Sequence, residues 1–558
     1  MSNKIRTILL LIAIFIVSVI VRLPYLNNEL KCNEYCYTEK LTIFENMYAY
    51  GLFESHFSPI QTYNNKGDKY AAFYKRVEDK NGNNYYVSFP PFSFLFPTII
   101  FKIIHIPPSK FILQIFNLVI HFISAILVFL IILNADSKRK TDFFNGKNKL
   151  FLGAIIAYIF YLLSPVMLFF HTEVFSCETF SRPLWLAGIL ISFKIFNQNS
   201  KIKKIDLFLI SLITFLLTYS EWLGIFFGTA VLIIAFIKIR EFKKNQFSDV
   251  FAPSLKGETS ENSPPFRVRG KVNFQLSEVS IKTNSYYLKL IKCILLSVLF
   301  SLALMVVQYS SINGFYDFIH SLFIRFVERS GYFGERLSSM HISIFNLQSY
   351  KLFFENYNSA LFGFGYLTIA LLLFLIITKK VKLNFTLSPI NVLFILSVFP
   401  TLIHSIIFFN ANVIHLECFS RISVPFSIML GISANKFFIN FRNKYIKFLL
   451  LFVILMLVYF SKIRFDKYYD EKFNAQFINK TANFIKYNSS GEDVIFVNIQ
   501  TSCPAPYLYL IYKTKRNIIS VEYYKQANEK FLAIPQSNGK YFEFTENKEN
   551  YSVRSIKK

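Results

Sequence analysis

Arg325, Glu328, Arg329, Gly331, Gly334, Glu335 and Arg336 form a dense charged run broken by glycine. The planar fork of arginine matches the oxygens of a phosphate with two parallel hydrogen bonds, so Arg325, Arg329 and Arg336 are candidates to hold one. The same run also reads as an amphipathic interfacial helix whose charges pair among themselves. Lys69, with Lys75 and Arg76 nearby, is a second source of positive charge, and such residues are ordinarily surface charge. Imidazoles and carboxylates come together in His171-Thr-Glu173 with Glu178 and Arg182, in Ser220-Glu221-Trp222, and in Asn412-Val-Ile-His415-Leu-Glu417 ahead of Arg421 and Pro425. These groups can orient substrate hydroxyls or cap helix ends. Imidazole and carboxylate also suit a divalent metal such as zinc or manganese, with Glu34, His171, Glu173, His415 and Glu417 as the pool of ligands and Glu173, His415 and Glu417 as the narrower set.

Those clusters need elements to position them, and the hydropathy pattern supplies them. A bilayer-crossing helix takes roughly 17 to 25 apolar residues. Eleven apolar runs occur here, from Thr7–Val21 onward, starting near Phe111, Leu150, Pro183, Ile205, Trp222, Leu288, Ala360, Pro389, Ile422 and Phe448. They lack the strict alternation of barrel strands. The expected fold is a polytopic α-helical membrane protein with about eleven transmembrane helices. With Lys4 and Arg6 in the cytoplasm, the basic loops at 138–140, 201–204, 238–271, 379–382 and 442–447 all fall on that side, and the loops carrying Glu and His fall on the other. The N-terminus is therefore expected inside and the C-terminus outside.

Residues 1–462 form the expected membrane domain, with a first outer loop at 22–110, a cytoplasmic insertion at 241–287 and a second large outer loop at 310–359. The insertion, with Pro253, Pro264 and Pro265 among Ser, Lys and Arg, has the texture of a disordered segment. From 463 the chain turns polar. Glu471–Asn488 reads as an amphipathic helix, Asp493–Asn498 as a buried strand, Tyr507–Tyr512 as a helix or strand and Asn517–Val521 as a further strand, which together make a small extracytoplasmic α/β domain over 463–558.

Composition narrows the function. The chain is 53% hydrophobic with 67 Phe among 558 residues, and its formal charge of +27 follows from positive-inside loops and anionic lipid rather than from nucleic acid. His121 and His404 are the ionisable side chains well inside the apolar runs; a lone buried His is ordinarily a hydrogen-bonded packing residue, and so few intramembrane charges disfavour a proton-coupled transporter. Thr7–Val21 is long enough to span, so it reads as a retained first helix. The many Lys and Asn residues give a bacterial impression, which places the chain in an inner (cytoplasmic) membrane.

Arg22-Leu-Pro-Tyr25 closes the first apolar run; Cys32-Asn-Glu-Tyr-Cys36 follows, then Glu39 and Glu45 on an expected helix leading to Gly51, and Ser88-Phe-Pro-Pro-Phe92 before the next run. This order, and the whole topology with two large outer loops and a C-terminal outer domain, resembles the GT-C-type glycosyltransferases, which include protein O-mannosyltransferases and bacterial aminoarabinose transferases. The resemblance implies a GT-C-like fold and transfer of a sugar from a polyprenyl-phosphate carrier, within the lipid bilayer, to an extracytoplasmic acceptor. In that family an Asp-Glu pair in the first outer loop holds the catalytic group; here the pair is Asn33-Glu34. Asn cannot serve as a base, so the resemblance implies Glu34 in that role, with Glu39 in reserve.

The chemistry is consistent with these residue types. A carboxylate takes the acceptor's proton as the sugar carbon becomes electrophilic, and positive charge stabilises the departing phosphate. His171, Glu173, Glu178, Glu221, His415 and Glu417 become the expected substrate contacts, a divalent metal the one cofactor in view. Cys32, Cys36, Cys177, Cys418 and Cys503 fall outside, where oxidation is allowed, and a disulfide from Cys32 or Cys36 to Cys177 or Cys418 would tie the clusters together. Two other readings stay open: a noncatalytic GT-C-like scaffold or lipid-linked-glycan handling protein, which Asn33 favours, and an O-antigen-ligase-like enzyme.

Overall fold

Hydrocarbon offers no partner to a backbone N–H or C=O, so apolar runs of this length satisfy themselves as helices. The computed structural model describes residues 3–27, 35–63, 77–135, 150–172, 175–197, 203–251, 267–332, 342–378, 387–440, 443–469, 475–490, 494–499, 505–520, 539–545 and 548–556. The chain opens with α1 (Asn3–Arg22), α2 (Tyr35–Tyr50), the short antiparallel pair β1 (Val77–Glu78) and β2 (Asn84–Tyr85), α3 (Phe92–Ile103), α4 (Lys110–Asn134), α5 (Leu150–Leu163) and α6 (Pro165–Phe170). It continues through α7 (Cys177–Asn197), α8 (Lys204–Thr218), α9 (Leu223–Phe251), α10 (Arg267–Asn313), α11 (Phe315–Ser330), α12 (Leu347–Leu361) and α13 (Phe364–Ile377). Then come α14 (Pro389–Ile407), α15 (Phe409–Ile414), α16 (Leu416–Phe419), α17 (Ser423–Asn440) and α18 (Lys444–Tyr469).

Seven stretches among the described residues are long and apolar enough to cross a membrane: Lys4–Tyr25, Lys110–Asn134, Leu223–Glu241, Ser285–Asn313, Pro389–Ile407, Glu417–Asn440 and Lys444–Lys467. The pair α12–α13, bent by 93°, makes an eighth if it is one span. This is a multi-pass membrane protein. Among the described residues, seven or eight stretches thus meet the criterion of length and apolarity, against the about eleven expected. The difference lies partly in α5 and α8, which are 14 and 15 residues long, and in α7, which carries Glu178, Arg182 and Lys194. The segment 241–287 also differs from expectation. α9 runs on to Phe251 and α10 begins at Arg267, so helix covers both flanks. Pro253, Pro264 and Pro265 all fall between, outside the described residues.

Small residues let the bundle close. Gly153 on α5 meets α17 so tightly that an added Cβ would stand 2.4 Å from the Gly431 carbonyl oxygen, and one on Gly431 would stand 2.9 Å from the Ala157 Cβ. Close backbone approach is the usual basis of helix association in lipid, where hydrophobicity gives no drive.

Beyond α18, which passes position 462 to end at Tyr469, the chain forms α19 (Ala475–Asn488), β3 (Val494–Ile499), α20 (Ala505–Thr514), β4 (Ile518–Ser520), β5 (Gly539–Thr545) and β6 (Lys548–Ile556). The sheet order is β4-β3-β5-β6, with β3 parallel to both neighbours and β5–β6 antiparallel. This segment packs α20 on α2. Lys515 pairs with Glu45 of α2, and Asn517 exchanges hydrogen bonds with the Tyr63 backbone at 3.1 and 3.3 Å. α2 is thus held from behind while its other side faces the bundle.

Gly153→Val, which drives a side chain into backbone, is expected to destabilise the protein by about 1–3 kcal/mol or more. Gly228→Ala, whose Cβ would meet flexible side chains at 3.2 and 3.4 Å, is expected to change far less; thermal unfolding of both in one detergent makes the comparison.

Candidate active site

At one end of the bundle, α2, α7, α11 and the α15–α16 turn bring charged side chains to a common point. α2 supplies Glu39 and Lys40 at successive positions, with side chains 14% and 12% exposed and 3.9 Å apart. Glu39 accepts from the Gln61 amide, and the Lys40 ammonium stands 5.8 Å from the Tyr86 ring. α11 supplies Arg329, its guanidinium 5.0 Å from the Phe89 ring. The α15–α16 turn supplies His415 and Glu417, 3.4 Å apart, and the first turn of α7 supplies Glu178.

The Tyr86 and Phe89 rings stack with centroids 6.3 Å apart, so Lys40 and Arg329 stand against one aromatic pair. Burial disfavours the Lys40 ammonium, but the fields of Tyr86, Glu39, Glu417 and Glu178 outweigh it and raise the group above the ordinary lysine range. Arg329 behaves alike: burial opposes its charge, and Tyr86, Glu178, Cys418 and Glu417 more than restore it. Burial raises the Tyr86 phenol, and Lys40 and Arg329 pull it back only in part. Two cations thus stand over three carboxylates, with a phenol and a half-exposed imidazole beside them.

Beneath this group lies a drier network. Arg421 donates from Nε to Glu221 Oε1 at 2.6 Å, from Nη2 to Glu178 Oε1 at 3.3 Å, and from Nη1 to His404 Nδ1 at 3.0 Å. Ser181 donates to the other Glu221 oxygen. Arg182 donates from Nη2 to Ser420 Oγ at 2.6 Å. Glu178, Glu221, Arg182 and Arg421 are all buried; Arg421 is paired with both carboxylates, as burial of charge requires, whereas Arg182 leaves Nε and Nη1 without a hydrogen-bond partner among the described residues. His404 is the packing histidine its surroundings suggest.

A third network centres on the turn after α6. His171 stacks on His121 with ring centroids 4.0 Å apart and planes 3° from parallel. His171 Nδ1 donates to the Asn117 carbonyl at 3.3 Å, and His121 bridges Arg22 Nη2 at 3.0 Å and the Tyr161 carbonyl at 3.1 Å. Burial, then the charges of Arg182 and Arg22, hold His171 well below the usual imidazole range, so it is neutral.

The structure therefore sorts the expected residues. Glu39, Glu178, His415, Glu417 and Arg329 gather at the common point. Glu221 is instead bound to Arg421 and Ser181 and fully buried, and His171 belongs to the histidine stack rather than to the carboxylates. Arg325 pairs with Glu328 one turn along α11 at 2.8 Å, which is the self-pairing reading of that run. Glu34, Lys69, Glu173 and Arg336 lie outside the described residues. Among the described residues no three His, Cys, Asp or Glu side chains converge to hold a metal; His415 and Glu417 are a pair, and Glu173 is not described. Cys177 and Cys418 are buried free thiols, so neither takes the disulfide expected of it. Lys40, Tyr86 and Arg421 are additions: Lys40 directly follows Glu39, and only the fold shows that it meets the Tyr86 ring.

No family model and no curated protein matches the sequence. Among solved structures the chain is similar to the archaeal oligosaccharyltransferase AglB from Archaeoglobus fulgidus, in complex with an inhibitory peptide and a dolichol-phosphate, with a TM-score of 0.49 and 12% identity. The match covers 93% of this chain and 64% of that protein, so the chain spans just under two thirds of its length.

Removing one member of a buried ionic network leaves the others uncompensated. Arg421→Met is therefore expected to cost about 3–5 kcal/mol, read as a large drop in the thermal midpoint of the detergent-solubilised protein. Arg325→Met, which breaks the pair with Glu328 one turn along the same helix, is expected to move the midpoint less; equal losses would refute the assignment of Arg421 as the hub.

Proposed function

We propose that the chain is a membrane glycosyltransferase that moves a sugar from a polyprenyl-phosphate carrier to a lipid, glycan or protein acceptor at the site end of the bundle. One observation carries this reading: Lys40 and Arg329, on separate elements, share a space with Glu39, Glu178 and Glu417 at the end of a membrane bundle. Cations placed there hold a lipid-linked phosphate and stabilise the charge it gains as it leaves. Carboxylates placed there take the acceptor's proton.

In this reaction the acceptor oxygen forms a bond to the anomeric carbon as that carbon's bond to the phosphate oxygen breaks. The electron pair leaves on the phosphate, and the acceptor's proton passes to a carboxylate. Glu34 is the proposed base, since it lies one residue before α2, and Glu39 on α2 is the reserve. Lys40 keeps its charge through the neutral and mildly alkaline range because its pKa is raised, so phosphate binding is not lost there. Glu178, His415 and Glu417 are proposed to contact the donor's or acceptor's hydroxyls. A divalent metal, if one takes part, would be held by His415 and Glu417 with Glu173. The proposed setting is a bacterial inner membrane, with the N-terminus inside and the site end, with the 463–558 segment, outside. Asn33 favours the noncatalytic alternative, and the same assay separates the two.

Membranes containing the wild type are expected to transfer radiolabelled sugar from a polyprenyl-phosphate-sugar pool. Arg329→Gln should lower the rate about a hundredfold, Arg329→Lys should restore part of it, and Glu34→Gln should abolish transfer at normal protein level. Wild-type rates in the Arg329→Gln variant would overturn the phosphate assignment, and no transfer by the wild type from any tested donor would favour the noncatalytic reading.

A further inference from the structure

α11 turns an aromatic face away from the protein. At 3.6 residues per turn, Phe315, Tyr316, Ile319 and Phe323 fall within a sector of about 100°, and all are exposed, from 38% for Ile319 to 77% for Tyr316; Phe326, within the same sector, meets the Phe408 ring edge-on at 6.2 Å. On the other side Phe318 and Ser321 are buried and Arg329 meets the Phe89 ring. A contiguous apolar face of this kind is not left to water in a stable protein.

What covers it follows from its neighbour. α11 begins one residue after α10 ends, with Gly314 between them at φ 97°, a conformation glycine takes at low cost. The Ser285–Asn313 stretch of α10 is long and apolar enough to cross a membrane, and it exposes Leu296, Leu299, Phe300 and Val307. An exposed apolar span thus ends at Gly314, where the helix bearing the exposed aromatic face begins.

A second helix at the same end repeats the pattern. α3 is anchored to the α8–α9 turn by Phe92 N–H on the Tyr219 carbonyl and Ser93 Oγ on the Ser220 carbonyl, and it exposes Phe96, Ile99 and Ile103. Aromatic residues favour this boundary because their rings are apolar yet tolerate polar neighbours.

We infer that α11 is an interfacial helix, its aromatic face seated among the lipid acyl chains just below the headgroups of the leaflet at the site end. The occupant of that face is lipid, and the helix that carries Arg329 is thereby held at headgroup depth. This goes beyond the proposed reaction and holds whether or not a sugar is transferred.

The test places a fluorophore on the face: Phe323→Trp in the full chain, in nanodiscs whose lipids carry bromine high on the acyl chain, with emission compared against the parent protein, which holds Trp185 and Trp222. The added emission is expected to lose about half its intensity to shallow bromolipid and little to aqueous iodide. Quenching by iodide alone would put the face in water, and quenching by neither would put it under another protein surface or a second copy; either overturns the inference. Ile319→Trp serves the same purpose if Phe323→Trp does not fold.

Discussion

The Arg421 guanidinium, held between Glu221 and Glu178 inside an apolar bundle, is the constraint on which the rest depends. Far from water the cost of an uncompensated charge exceeds that of any single packing defect, so the elements bearing these groups have little freedom to move apart. Those elements are the first turn of α7, the α8–α9 turn and the α16–α17 turn, joined by His404 from α14. Arg182, on Ser420, completes the balance of two cations against two carboxylates. Stability and placement are thus one matter: the network that keeps buried charge tolerable also sets Glu178 where Lys40 and Arg329 feel it.

α2 is positioned from two sides. Its inner positions place Glu39 and Lys40 over Gln61 and Tyr86, and its outer side takes Lys515 on Glu45 beside the Asn517–Tyr63 pair. The C-terminal segment therefore braces the helix that carries Glu39 and Lys40, and α11 brings Arg329. A site assembled from separate loops on a rigid bundle follows a common division of labour, in which the scaffold fixes geometry and the loops carry chemistry.

Much of this was legible beforehand for physical reasons. Apolar runs of bilayer length have one way to satisfy their backbone, so the spans α1, α4, α10 and α14 stand where the hydropathy places them. Charges at the ends of such helices tend to gather near one another, and the structure brings Glu178, His415, Glu417 and Arg329 to the same end of the bundle. Residue type did not show that His171 and Glu221 are held in the interior, His171 against His121 and Glu221 on Arg421 and Ser181, because that depends on their rotation about a helix or turn. Arg325 differs from Arg329 by one turn of α11, enough to trade the site for Glu328.

The sequence by itself determined that the chain is helical, that it crosses a membrane several times and that its ionisable residues cluster at helix ends, because each of these follows from local composition and the absence of water in hydrocarbon. Only the tertiary structure decided which of those residues meet. Arg421 lies 200 positions from Glu221 and 243 from Glu178, and partners so far apart are chosen by how helices pack and rotate, which no local pattern of residues encodes.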